Sequence, residues 1–120
     1  MNPTHELAQE AWSEYLDAVS RELLNARVSI EISSGAATQI DEAAPLALQT
    51  VGYDRRDDVF ELAAAQGGTR LPSLLTHMVD HPRRILVDSW TLLAPMTIAV
   101  DGGDGVRTVI KIAGESDPVS

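Results

Sequence analysis

The apolar residues of this chain change period near residue 25, and that change limits the fold more than any other feature. Before it, Leu7, Ala8, Ala11, Trp12, Tyr15, Leu16, Val19 and Leu23 recur every three or four positions, which puts them on one stripe of an α-helix. The spacing predicts a helix over residues 3–24, capped at Asn2 or Thr4, with Pro3 in its first turn and Asn25 as a left-handed stop. After it, Val28, Ile30 and Ile32 alternate with Ser29, Glu31 and Ser33, the pattern of a strand with one wet face.

The remaining chain keeps the strand habit. SSGAATQIDEAAP, residues 33–45, is rich in small and polar residues and reads as a loop. PLALQTVGYD and DVFELAAA pair as a hairpin across Asp54, Arg55, Arg56 and Asp57, with Gly52 marking a bulge or kink. A turn follows over residues 66–69, and ILVDSW reads as a further strand. MTIAV and VRTVIKI flank Asp101-Gly102-Gly103-Asp104-Gly105, the clearest hairpin in the chain. That turn has two aspartates where a calcium loop needs five or six oxygen ligands, so its glycines are read as supplying positive φ. The expected fold is α+β: one domain over residues 1–114 and a flexible tail over 115–120. Its helix packs on a twisted, mostly antiparallel sheet of five to six strands that can close partly into a barrel.

Composition narrows the chemistry. A chain of 120 residues suits one domain. With 18 acidic and nine basic residues the net charge is −9, which disfavours nucleic acid and anionic membrane surfaces and leaves an acidic face for a basic partner. There is no cysteine, so thiolate chemistry and cysteine-held metals are excluded, and a cytoplasmic location is expected. The start lacks the basic and apolar segments of a signal peptide, and no apolar run reaches membrane-spanning length.

The helix AWSEYLDAVSRE leading into VSIEI, the later HPRRILV and the closing DGVRTVIKI together resemble a family of small bacterial proteins of unknown function. Its members carry a Trp-bearing N-terminal helix and a C-terminal Asp/Gly hairpin. The resemblance spans about three-quarters of the chain and departs from it in residues 35–43 and 90–95. It implies the fold and carries over no activity and no site residue.

The densest group of reactive side chains is THMVDHPRRILV, residues 76–87. If residues 71–81 are helical, His77 and His81 share a face at the spacing of a His-x-x-x-His metal pair. If they form a strand, the two histidines lie about 13 Å apart at ~3.3 Å per residue, too far for one ion. Asp80-His81-Pro82 reads as a turn, because a residue before proline avoids the helical region. Arg83 and Arg84, with Arg55, Arg56 and Arg70, are candidates for a local anion pocket. The candidate ligand-binding residues are therefore His77, His81, Arg83, Arg84 and Asp88; no catalytic residue, metal or cofactor is assigned.

Two functions compete. The first is a non-enzymatic protein-interaction or structural domain, motivated by the acidic charge and by LPSLL and WTLLAPM, which exceed what one small core can bury. A protein partner or self-association follows from it. The second is a small-ligand-binding protein or enzyme, with a pocket between helix and sheet where His77, Arg84 and Asp88 would converge.

Overall fold

A computed structural model describes residues 5–34, 37–66, 73–88 and 95–113. In chain order the elements are β1 (His5–Glu6), a 3-10 turn (Gln9–Ala11), α1 (Trp12–Glu22), β2 (Arg27–Ser34), β3 (Ala37–Asp54), β4 (Val59–Gln66), β5 (Ser73–Asp80), β6 (Pro82–Val87), β7 (Met96–Gly102) and β8 (Val106–Ile112). The strands form one antiparallel sheet in the order β1-β6-β7-β8-β2-β3-β4-β5.

The α+β class stands, but the sheet has eight strands rather than five or six, and it is not closed. The further strands are β1 and β5; residues 37–45, expected as loop, are instead the first half of β3 and lengthen it. Their small, polar side chains have a turn-like composition. The ladder with β2 makes them a strand all the same, because strand preference depends more on neighbours than on intrinsic tendency. The composition is reflected in the register: Val28 faces Leu46 while Ile30 faces Asp41, so β3 carries extra residues there. Likewise, the expected irregularity at Gly52 falls between Leu48 and Thr50.

The helix is shorter than its stripe. Residues 5–6 form β1, and Leu7 extends its pairing by donating its backbone N–H to the Ile85 carbonyl at 2.9 Å. The stripe over residues 7–11 is met without an α-helix: Leu7 is buried, a 3-10 turn carries residues 9–11, and Trp12 Nε1 closes the corner on the Leu7 carbonyl at 3.2 Å. Asn25, at φ 70°, ends the segment in the left-handed conformation expected of it. Residues 1–4 and 114–120, with the expected caps and tail, lie outside the described residues, as does the expected turn at 67–69.

Alternation along the strands builds the core. Ile85 and Val87, Met96, Ile98 and Val100, and Ile110 and Ile112 are buried on one face with Leu16 and Val19 of α1. The helix also completes the second edge of β3 beyond the point where β2 ends. Ser20 Oγ donates to the Val51 carbonyl at 2.7 Å and accepts the Val51 N–H at 2.8 Å. Ser13, seven positions earlier on the same helical face, donates to the Tyr53 carbonyl at 3.2 Å. Side-chain hydroxyls thus satisfy backbone groups that a neighbouring strand would otherwise take.

Candidate functional site

Residues 73–80 are a strand, which settles the geometry of the two histidines. His77 turns to the core side of β5, half-buried, and its Nε2 lies 3.0 Å from Thr108 Oγ1 on β8. Burial holds its pKa below the ordinary histidine value. That contact spans the concave side of the sheet and shows how strongly the sheet rolls. His81 occupies the β5–β6 turn at φ 52° and is exposed. Its backbone N–H reaches the Asp58 carbonyl at 2.8 Å, and its Nδ1 lies 3.0 Å from Asp58 Oδ2. Asp58 is shared: the Tyr53 hydroxyl donates to its other oxygen at 2.6 Å. The Tyr53 bond and then His81 hold the Asp58 carboxyl below its ordinary pKa, while Asp58 raises that of His81. Among the described residues, no group of three metal-ligating side chains comes together.

Asp88 has a third location. Its Oδ1 accepts the Thr97 N–H at 3.0 Å, which fastens the end of β6 to β7. Burial, and secondarily the charge of Asp88, pushes Tyr15 of α1 up to about 12. The structure therefore does not bring His77, Arg84 and Asp88 together between helix and sheet.

It does bring Arg83 and Arg84 together, on the opposite face. Strict alternation would send adjacent residues to opposite sides. Here the register shifts between Pro82 and Arg84, so Pro82 and Ile85 are buried while both arginines are exposed. They line a surface depression of about 580 Å³ with Asp101, Gly102, Gly105 and Arg107. Asp101 anchors the group. Arg84 donates through Nε and Nη2 to Asp101 Oδ2 at 3.2 and 3.0 Å; Arg107 donates through Nε to Oδ1 at 2.6 Å and through Nη2 to Oδ2 at 2.9 Å. Arg107 foremost keeps the Asp101 carboxyl below its ordinary pKa.

Asp101 and Arg107 were not singled out from the sequence, although a signal existed. The turn length of the DGGDG hairpin places the two residues opposite one another, and opposite charges at such positions attract. The hairpin turn is as expected, but of its three glycines only Gly105 takes positive φ, at 87°. Gly102 serves a different need, close approach: a Cβ there would lie 2.9 Å from Asp104 Oδ1 and 3.1 Å from Val79 Cγ1.

The outer face of β5 is of another kind. Leu74 and Met78 are 61% and 53% exposed, and Thr76 between them is exposed too. The β4–β5 ladder has no register shift, and among the described residues β5 pairs with no other strand.

An α+β domain of one helix on an open eight-stranded antiparallel sheet is thus the class this chain defines. It belongs to a family of unknown function, DUF5335, whose model matches residues 3–117. The chain is 27% identical over 109 residues to an uncharacterised protein of the bacterium Aquifex aeolicus (strain VF5), covering 91% of each. No solved structure matches it. No described helix is long and apolar enough to cross a membrane.

Proposed function

We propose that this protein is a bacterial cytoplasmic interaction domain that associates with a second copy of itself through the outer edge of β5, which pairs with no strand but β4 among the described residues. The observation that carries the reading is an eight-residue edge strand with two large apolar side chains in water. Soluble proteins ordinarily blunt such an edge with a charge, a proline or a bulge; β5 has no proline or bulge, and its one carboxylate is Asp80, at its last position. The apolar excess noted in LPSLL is consistent with this, since Leu74 is among its residues.

A second copy suits the edge because the pattern is symmetric about Thr76. In a two-fold antiparallel pair centred there, Leu74 of each copy faces Met78 of the other, and Thr76 faces itself. No charged side chain between 74 and 78 meets a like charge, so the −9 of each chain does not oppose contact at the seam. A chain without cysteine has no need of an oxidising compartment, in keeping with a cytoplasmic setting.

Native mass spectrometry tests the reading directly. The expected result is twice the chain mass for the natural sequence and a single mass for the double variant Leu74→Glu, Met78→Glu. At dilutions where both are single chains, the double variant should unfold within about 0.5 kcal/mol of the natural protein, as surface changes do. A natural protein that stays at single mass at every concentration, or a double variant that keeps twice the mass, overturns the proposal.

A further inference from the structure

We propose that the depression between the bulged start of β6 and the β7–β8 hairpin binds the dianionic head of a small phosphate monoester. Three features carry this. The first is charge: Arg83, Arg84 and Arg107 against Asp101 leave the lining with a formal +2 (three minus one), on a chain whose total is −9. Asp104, in the adjoining turn, directs its Oδ1 to the Val106 N–H at 3.1 Å. The second is donor supply. A guanidinium has five N–H donors. Arg84 and Arg107 each spend two on Asp101, which leaves three apiece. Arg83 makes no hydrogen bond or ion pair among the described residues.

The third feature is preorganisation. Asp101 already fixes two flexible side chains, so an arriving anion need not order them. The N–H groups left on Nη1 and Nη2 of each guanidinium can still form the fork by which Arg grips phosphate oxygens. Gly105, where a side chain would meet nothing within 4 Å, keeps that side of the lining open, and the volume of about 580 Å³ admits a phosphate with a small organic group. The bulge is the device that makes the site, because a regular β6 would turn Arg83 away from Arg84.

The test is a titration of the full chain with inorganic phosphate, followed by amide NMR at constant ionic strength, with acetate and chloride as controls. Saturable shifts at Arg83, Arg84, Gly105 and Arg107 are expected for phosphate above pH 7, and only weak, unsaturated ones for acetate. Arg83→Ala is the informative variant, since Arg83 holds nothing in the fold; it should weaken phosphate at least tenfold while leaving the unfolding transition in place. Equal shifts with chloride, or unaltered affinity in Arg83→Ala, would overturn the assignment. A small sugar phosphate should then bind at least as tightly as inorganic phosphate. Tighter binding of a phosphoserine peptide than of the sugar phosphate would refute the small-molecule reading.

Discussion

β1 and β5 are the outer strands of one sheet, but the chain treats them differently. β1 is two residues long; it leads through buried Leu7 into a corner that Trp12 fastens, and the helix follows at once. β5 runs for eight regular residues and presents Leu74 and Met78 to solvent. A third open edge, on β3 beyond β2, is met by the hydroxyls of Ser13 and Ser20. The same short helix thus serves two edges and leaves the third. What the difference teaches is that edge protection here comes from the helix segment, which meets β1 and β3 and, among the described residues, not β5.

Substitutions at the three edges should therefore differ in kind. The largest effect is expected at the β1 corner, where Trp12→Ala removes a buried ring that packs edge-on against Tyr53 at a centroid distance of 5.0 Å. It should cost ~3–5 kcal/mol in urea unfolding, the usual range for a buried aromatic, without altering the mass of the assembled protein under native conditions. Ser20→Ala is next: it strips both partners from the Val51 backbone and should cost about 1–3 kcal/mol. If Ser20→Ala is neutral, the helix is not acting as a substitute strand at β3.

The smallest effects are those of pH, and the two histidines of the β5 region oppose each other. His77 has a depressed pKa through burial, so below its ordinary value of 6.5 the unfolded chain binds the proton more readily and stability falls with acid. His81 has a raised pKa through Asp58, so its contribution is complete below 6.5 and is lost as pH rises through the raised value. In unfolding curves measured from pH 5 to 8, His77→Gln should gain on the natural protein toward acid. His81→Asn should lose ground toward acid and converge with it above neutrality. Reversed signs would mean that His77 is charged in the fold or that the Asp58 bond is not kept.

Much of this arrangement was legible in the residues. The period change after residue 25, the stop at Asn25 and both hairpins followed from local chemistry, because a turn fixes the register of the strands it joins. What escaped depends on contacts distant in sequence. Residues 37–41 become a strand because β2 supplies a ladder, and Leu7 is drawn from the helix to the carbonyl that Ile85 offers. Of the candidate residues, Arg83 and Arg84 came together because of a bulge that their own sequence does not signal. Arg107 was readable from the hairpin register, but its meeting with Arg84 at Asp101 required the pairing of β6 with β7. His77, His81 and Asp88 went to the core, a turn and a strand end, since each found a nearer partner than a common pocket.

The most direct test of the open edge is backbone amide hydrogen exchange across β5, with central β7 as the internal standard, at low and high protein concentration. The account predicts that alternate β5 amides exchange rapidly in dilute solution and become protected as the concentration rises, while β7 stays protected throughout. Protection of every β5 amide at all concentrations would show that the chain covers this edge itself, and alternate amides that remain fast at high concentration would show that no second copy adds there.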